Sequence, residues 1–430
     1  MGVRVGTAAL EEALNFLFAR TTGGFKFGLD RTYALLNALG DPHRAFPVIH
    51  VAGTNGKGST LATAEALLRG HGLRVGKYTS PHLVDFRERV LVDRVPIEAD
   101  HVVDFVERWT PLVVELGATF FEATTAMAFD AFARADVDVA LIETGLGGRL
   151  DSTNVVTPVA AGVTSIGWDH MEYLGHSLAG IAKEKAGIFK AGRPAVIGEI
   201  NPELSEHLRA HALAAGAEPL VVSEFVKVED IEVTARGTEV TITMAGERHR
   251  MRTPLAGRHQ AHNLAFTLAL LHSAGPKYAF GLEEAAHHLD QITLPGRFQR
   301  VGKYIFDVAH NADGARVLAE TLRAVQPPRP ITVLFCALRD KEWKDMLGTL
   351  SPFVDSFVLA DAPTAPESRR WNLEEARAFL RHINAKGDVA WTFDEALEQV
   401  QSAETIVVTG SFHTVGDAMA RLKVSPFSTG

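Results

Sequence analysis

The chain has almost no cysteine: Cys336 is the single one among 430 residues. One thiol cannot form an intrachain disulfide, so the sequence is typical of a reducing compartment, and we predict a cytoplasmic location. No run of about eighteen apolar residues occurs, so no membrane-spanning helix and no membrane partner are expected. Glu11, Glu12 and Asn15 interrupt the first apolar stretch, which therefore does not have the pattern of a secretory signal.

Positive charge is also scarce. Lys and Arg together number 43 against 52 Asp and Glu, which gives a formal net charge of −9. Nucleic-acid backbones require a basic surface, so the sequence predicts no nucleic-acid partner, and any anionic ligand must bind in a local basic pocket. The hydrophobic share of 46% is that of a folded globular chain, and the length predicts about two or three domains.

A glycine-rich segment, GTNGKGST at 53–60, lies between an apolar run and a helical pattern. The common phosphate-loop pattern G-x-x-x-x-G-K-[ST] does not fit, because Val51 occupies its first glycine position and Gly58 follows Lys57. The strand, loop and helix order still predicts a phosphate site rather than an ordinary turn with a surface lysine. The predicted nucleotide-binding residues of this loop are Gly53, Thr54, Asn55, Gly56, Lys57, Gly58, Ser59 and Thr60.

Two further strand ends carry side chains with useful chemistry. Glu143 follows the apolar run 137–142, while Asp169 and His170 follow the run 159–166. Ligands of open α/β sheets bind beyond the carboxyl ends of the strands. Next to a phosphate loop, Glu143 is a predicted Mg²⁺ ligand, with a helix-capping role as the alternative. Taken alone, His170 favours a structural role.

Lys185 lies on an apolar helical stripe. The segment GHSLAGIAKEKAGIFKAG predicts a helix whose apolar face contains Leu178, Ile181, Ala182, Ile188 and Phe189. A lysine on that face is costly unless it extends to solvent or loses its charge, and burial lowers its pKa. Two interpretations stay open: the side chain extends to solvent, or the neutral amine reacts with CO₂ to give a metal-binding carbamate.

The order of elements predicts an α/β protein. We expect an N-terminal nucleotide-binding domain of the P-loop type with a mostly parallel sheet at 1–296, including a small antiparallel hairpin region at about 226–250. A smaller doubly wound, Rossmann-like domain is expected at 297–430. Its predicted strands, which alternate with helices, are 301–306, 331–336, 356–360, 388–392 and 405–409.

The order of the longer motifs resembles folylpolyglutamate synthase and dihydrofolate synthase, members of the Mur ligase family, over nearly the whole chain. The motifs are HVAGTNGKGST, YTSPHLVDFRERV, FFEATT, ETGLGGRLDSTN, WDHMEYLG, IAKEKAGI, LPGRF, DVAHN and GSFHTVG. The resemblance implies an ATP-dependent amide ligase, usually monomeric, with a cleft between two domains. Its implied substrates are dihydropteroate, reduced folates and L-glutamate, and its implied intermediate is an acyl phosphate.

The resemblance also implies roles for particular residues. Catalysis is assigned to Lys57, Lys185 and His310, and ATP contacts to the glycine loop with Asn263, Arg297, Asp307 and His310. Ser80 and Glu143 are implied ligands of one Mg²⁺, and Glu143, His170 and carbamylated Lys185 of a second. Phe121 is expected to stack on a pterin ring, and Asp151 to accept hydrogen bonds from its edge.

Other functions stay open on the sequence alone. A folylpolyglutamate synthase without the dihydrofolate synthase activity would share these motifs. A cell-wall Mur ligase is less compatible, because its usual loop lacks the extra glycine at Gly58. A nucleotide-binding regulator without catalysis, or a kinase, would not need Glu143, His170 and Lys185 together with the glycine loop.

Overall fold

The computed structural model describes residues 7–21 and 28–427, and the first of its three sheets has eight strands. Their spatial order is 4-3-2-5-1-6-7-8; strands 2 and 5 to 8 pair in parallel with strand 1 or with one another, and strands 3 and 4 are antiparallel. The predicted mostly parallel sheet is confirmed. The strands are β1 (Val48–Ala52), β2 (Val75–Tyr78), β3 (Val90–Val92), β4 (Val95–Pro96), β5 (Val139–Glu143), β6 (Ala160–Val163), β7 (Pro194–Ile197) and β8 (Glu218–Val221).

Helices cover both faces of this sheet, and for that reason every residue of β1 and β5 is buried. The third and tenth helices pack on one face, and the first, second, fourth and fifth pack on the other. The helices are α1 (Thr7–Phe18), α2 (Asp30–Ala38), α3 (Lys57–Gly70), α4 (Ala99–Glu115), α5 (Phe120–Arg134), α6 (Met171–Leu174), α7 (Leu178–Ala186), α8 (Pro202–Ala214), α9 (Val222–Phe225), α10 (Arg258–Ser273) and α11 (Leu282–His288).

The second sheet is antiparallel and packs its apolar side against α10. The sequence predicts a hairpin at 226–250, whereas the structure adds a third strand that reaches Thr253. Its second turn contains Ala245 and Gly246, both with positive φ, which suits a tight reversal between strands. The strands are β9 (Val226–Thr234), β10 (Gly237–Met244) and β11 (Glu247–Thr253).

The third sheet has six strands, and five of them form the predicted parallel, doubly wound arrangement in the spatial order 13-17-14-15-16. The twelfth, thirteenth and fourteenth helices pack on one face of this sheet, and the fifteenth and sixteenth helices pack on the other. The elements are β12 (Gln299–Val301), β13 (Tyr304–Phe306), α12 (Ala312–Val325), β14 (Ile331–Phe335), α13 (Trp343–Leu350), β15 (Ser356–Leu359), α14 (Leu373–His382), β16 (Gly387–Val389), α15 (Phe393–Gln399), β17 (Thr405–Thr409) and α16 (Phe412–Arg421).

Two predicted elements are wrong in extent. The single strand predicted at 301–306 is the antiparallel hairpin of β12 and β13, which reverses where Gly302 adopts a φ of 57°. The helix predicted to continue through Phe189 ends at Ala186. The carbonyl oxygens near its end accept hydrogen bonds from the loop after β5, from Arg149 N to Glu184 O at 2.8 Å and from Asn154 Nδ2 to Gly187 O at 3.0 Å.

The loop between β2 and β3 joins the first and third sheets. Leu83 of this loop packs against the core of the third sheet, and a Cβ placed on Gly416 of α16 would lie 2.0 Å from the Leu83 carbonyl oxygen. The β2–β3 loop therefore contacts helix α16 at Gly416, a position that tolerates only glycine. The domain division at residue 296 stays a prediction. Across residues 7–21 and 28–427, no helix combines the length and apolarity that crossing a membrane requires.

Candidate active site

The glycine loop turns tightly against the end of β6. Gly53 has a φ of 150°, and a Cβ there would lie 1.8 Å from Thr164 Oγ1, so only glycine fits. The loop is fixed by hydrogen bonds from Thr54 N to Ser165 O at 2.7 Å and from Thr164 Oγ1 to Asn55 O at 2.6 Å. Helix α3 begins at Lys57, within this segment, so the unpaired N–H groups of its first turn belong to the loop itself.

Lys57 folds back over this loop. Its Nζ donates to Gly53 O at 2.9 Å and to Thr54 O at 3.2 Å, and it lies 3.8 Å from Glu143 Oε1. Ser59 and Thr60 lie in the first turn of α3 and are buried. The ammonium is therefore held at the mouth of the loop, next to a carboxylate from the neighbouring strand.

Glu143 is a buried carboxylate at the end of β5. Burial raises its pKa, while Lys57, the backbone N–H of Ser80 at 3.4 Å from Oε2, Arg297 and Arg89 act in the opposite direction. Several cationic groups thus surround this carboxylate and stabilise its charged form in a buried position.

Lys185 is buried, and its Nζ donates to Gly53 O at 3.0 Å, the same carbonyl oxygen that accepts from Lys57. The side chain does not extend to solvent, so that interpretation of the helical stripe is wrong. Burial, and next the charge of Lys57, lower the pKa of Lys185 to about 7. Near neutral pH a large share of the amine is therefore uncharged, which is the form that reacts with CO₂.

Asp169 lies at the junction of the two parallel sheets. Lys341 Nζ, from the loop after β14, lies 2.6 Å from Asp169 Oδ1, and His310 Nε2 lies 3.5 Å from Oδ2. Burial alone would raise the pKa of Asp169, but the hydrogen bond from His310 and the nearby positive charges outweigh it and lower the pKa. The carboxylate is therefore ionised, and it connects the first sheet to His310 and Lys341, which follow strands of the third sheet.

The side chain of His170 lies beside Asp169. Its Nε2 is 3.7 Å from Asp169 Oδ2, its φ is 51°, and burial lowers its pKa to about 4. Across the described parts of the chain, no group of three or more His, Cys, Asp or Glu side chains is arranged to hold a metal ion. The oxygens of Glu143 and of the Ser80 hydroxyl nevertheless suit Mg²⁺ chemically, and a carbamate on Lys185 would add two more.

The residues predicted to contact ATP lie around the same cleft. A Cβ on Gly56 would be 2.6 Å from Asn263 Oδ1, so Asn263 borders the glycine loop. Arg297 is half-buried, with its guanidinium carbon 5.6 Å from the centre of the Phe412 ring, and desolvation lowers its pKa. Asp307 follows β13 and accepts hydrogen bonds from Phe298 N and Ala309 N, both at 2.9 Å.

Comparison with known proteins assigns the chain to a family. Residues 51–271 match the Mur ligase middle domain, and residues 296–412 match the Mur ligase glutamate ligase domain. The chain belongs to the Mur ligase family. The resemblance predicted from the motif order is confirmed.

Several members of the family are similar over nearly their full length. The dihydrofolate synthase/folylpolyglutamate synthase of Bacillus subtilis is 33% identical, with 96% of this chain and 99% of that protein covered. The Mycobacterium tuberculosis folylpolyglutamate synthase complexed with ADP is 32% identical, with a TM-score of 0.89 over 97% of this chain and 99% of that one. A bifunctional folylpolyglutamate synthase/dihydrofolate synthase with Mn, AMPPNP and L-glutamate bound is 32% identical, with a TM-score of 0.81 over 96% and 98%.

The two predicted pterin contacts lie beside Glu143. Phe121 packs on the loop after β5, since a Cβ on Gly145 would be 2.4 Å from its ring. Asp151 Oδ2 accepts from Gly145 N at 2.9 Å and Leu146 N at 2.8 Å, while Oδ1 accepts from Thr153 N at 3.0 Å. Asp151 therefore orders the loop on which Phe121 rests. Contact of Phe121 or Asp151 with a pterin ring stays a prediction.

Sequence analysis missed Lys341 and Arg89. Lys341 follows β14 in the segment ALRDKEW, and the rule that ligand-binding groups follow parallel strands would have identified it. Arg89 precedes β3 in DFRERV, where four charged residues give the pattern of a solvated turn, yet Arg89 is buried. No local signal distinguishes it from Arg87, because the contacts that bury it come from α5 and from the β2–β3 loop.

Proposed function

We propose that this chain is an ATP-dependent ligase that joins L-glutamate to the carboxylate of dihydropteroate and of reduced folates. The observation that carries the proposal is the convergence of Lys57, Lys185 and Glu143 on one glycine loop. Similar proteins of this family are named for both activities and are named as complexes with ADP or with AMPPNP and L-glutamate. An acidic chain thus places its cations where two anionic reactants must meet.

The reaction needs two bond exchanges. A carboxylate oxygen of the pteridine substrate attacks the γ-phosphorus of ATP, and ADP leaves. The amine nitrogen of glutamate then attacks the acyl carbon, phosphate leaves, and the amine loses its proton as the amide forms. Both reactants of the first exchange are anions, so positioned cations lower the barrier.

The residues of the chain divide this work between them. The backbone of residues 53–59 and Lys57 would hold the β- and γ-phosphates, mainly through the N–H groups at the start of α3, since Thr54 N already donates to Ser165 O, and Asn263 and Arg297 would contact the nucleotide. Asp307 and His310 approach from the second domain. Closure of the two domains over the nucleotide would exclude water from the acyl phosphate, which otherwise hydrolyses.

Divalent cations complete the site. Ser80 and Glu143 would hold one Mg²⁺, and Glu143, His170 and carbamylated Lys185 a second. The cations supply neutralisation of charge on the phosphates and the attacking carboxylate. The carbamate explains why a lysine is buried beside Lys57: conversion of its amine to an anion removes the repulsion between two ammonium groups that share the Gly53 carbonyl.

Glutamate-dependent ADP release tests the proposal. The purified chain is assayed with Mg-ATP and glutamate, with dihydropteroate or tetrahydrofolate as acceptor, and the products are identified by mass. Turnover with both acceptors is expected, and Lys57→Met should abolish it, whereas Lys183→Met should leave it unchanged because Lys183 is exposed. Turnover with tetrahydrofolate alone would reduce the function to folylpolyglutamate synthase. Turnover with neither would favour a nucleotide-binding regulator.

A further inference from the structure

A buried arginine near Glu143 has no carboxylate partner. Arg89 is 8% exposed, its Nε donates to His82 Nδ1 at 2.8 Å, and its guanidinium carbon lies 5.1 Å from the centre of the Phe120 ring. Over residues 7–21 and 28–427, no ion pair to Arg89 and no hydrogen bond from its two terminal nitrogens occurs. Neither terminal nitrogen is among the fully buried polar atoms that lack a partner, so both are open to a ligand on that side, and a carboxylate there would pair with a guanidinium that is otherwise largely buried.

The nearby carboxylates are unable to take that role. Glu88 uses both oxygens within its own turn, where it accepts from Leu83 N, Val84 N and Asp85 N. Glu143 interacts with Arg89 electrostatically but makes its close contact with Lys57, at 3.8 Å. The backbone carbonyl of Arg89 accepts from Thr79 N at 3.0 Å, and the N–H of the next residue, Ser80, lies 3.4 Å from Glu143 Oε2, so Arg89 lies near the active-site carboxylate without being paired to it.

The arginine is held rigidly. The His82 ring lies 6.2 Å from the Phe18 ring and 6.1 Å from the Phe86 ring, and burial lowers the pKa of His82 to about 3. The imidazole is thus neutral, and because its Nδ1 accepts from Arg89, its own proton resides on Nε2. Leu83, next in the chain, is packed into the third sheet. The fork of N–H donors is consequently preorganised where the two domains meet.

We propose that Arg89 binds the free carboxylate of the pteridine substrate, the group that ATP activates. A planar guanidinium pairs with a carboxylate through two parallel hydrogen bonds, and here it would offset the repulsion between the incoming carboxylate and Glu143. Phe120, which packs on Arg89, precedes Phe121 on α5, so one helical turn would carry both the pterin contact and the support of the carboxylate site. The inference rests on the proposed function.

Two ligands that differ in the charge of one group isolate the contact of Arg89 with the substrate carboxylate. Binding of pteroate and of its carboxamide, which lacks the charge, is measured calorimetrically with the full chain. The wild type should bind pteroate at least about tenfold more tightly, and Arg89→Met should bring the ratio of the two affinities close to one. Arg87→Met is the matched control: it lies two residues away, pairs with Asp85 at 2.8 Å, and should keep the wild-type ratio.

Each outcome decides the point. If the wild type shows no preference for pteroate, the inference fails. This test needs no variant, so it can be made even if the Arg89→Met protein does not fold. Equal weakening of both ligands in Arg89→Met would assign Arg89 a structural role and overturn the inference. An enzyme that releases ADP but keeps its ratio in Arg89→Met contradicts only this inference. A chain that binds neither ligand and releases no ADP contradicts the proposed function itself.

Discussion

The parallel strands of the first and third sheets end at one cleft, but the functional side chains of the two sheets are held by different contacts. In the first sheet the side chains are held within one domain: Lys57 and Lys185 both donate to the Gly53 carbonyl. In the second, Lys341 and His310 reach across the cleft to Asp169. The contacts of Lys57 and Lys185 therefore lie within the first part of the chain, whereas those of Lys341 and His310 join the third sheet to the first, and on the proposed function they would depend on the approach of the two domains.

The largest expected effect comes from the first sheet. Lys185→Ala should lower kcat by about 100-fold or more, because the proposed function makes this side chain, as a carbamate, a ligand of the Mg²⁺ that neutralises the reacting phosphate and carboxylate. If the native group is a carbamate, acetate should restore part of the activity by occupying its position. Steady-state assays of ADP release with and without acetate provide the measurement.

Lys183→Ala is the control for that experiment, since Lys183 lies on the same helix but is exposed. Its kcat should match the wild type. Unchanged activity in Lys185→Ala would contradict the role of Lys185. Loss of activity without rescue by acetate, and without uptake of label from isotopic bicarbonate, would contradict carbamylation alone.

The same contrast explains what sequence could predict. The glycine loop, Glu143 and Lys185 belong to strand, loop and helix units whose local patterns specify them: glycine where φ is positive, and a charged residue after an apolar run. The helical stripe placed Lys185 on the apolar face and left burial as one of two interpretations, but it did not indicate the end of α7, where carbonyl oxygens accept hydrogen bonds from Arg149 and Asn154.

Contacts between distant segments were beyond local patterns. Lys341 and Asp169 are separated by 172 residues, and neither sequence neighbourhood indicates the other. Arg89 resembles an exposed residue because its burial depends on Phe120 and His82. The sequence likewise did not indicate that His170 lies beside Asp169, with its Nε2 3.7 Å from Asp169 Oδ2, and its role as a metal ligand stays a prediction.

A double-mutant cycle on Asp169 and Lys341 would sharpen the comparison. Asp169→Asn and Lys341→Met should each destabilise the protein, and the double variant should lose about 1–3 kcal/mol less than the sum, because removing one partner leaves the other buried and unpaired. Denaturant unfolding of the four proteins measures the coupling. Both side chains are about one-tenth exposed, at 11% and 10%.

The matched control is the ion pair of Lys344 and Glu375, which lies within the second domain at 2.8 Å but has side chains exposed by 52% and 53%. Its coupling should be about 0–1 kcal/mol, as for other surface pairs. Equal coupling in the two cycles would mean that the contact between the domains is solvated, and the proposed dependence of the second sheet on domain approach would lose its support.

The smallest effect concerns a buried neutral histidine of the first sheet. His50 of β1 is fully buried, its Nε2 lies 2.8 Å from Thr153 Oγ1, and burial lowers its pKa from 6.5 to about 3. Between those two pH values the unfolded chain binds a proton that the folded chain does not. The stabilisation is therefore complete above about pH 6.5 and is lost progressively as the pH falls toward 3.

His50→Asn should reduce the dependence of unfolding free energy on pH below about 6.5, by on the order of 1 kcal/mol per pH unit. Urea unfolding at several pH values measures the slope, and His287→Asn, at an exposed position on α11, should leave it unchanged. An unchanged slope in His50→Asn would mean that the folded protein protonates His50 at little cost. The first sheet would then tolerate buried charge better than the low pKa of Lys185 implies. A neutral Lys185 that reacts with CO₂ would have less support.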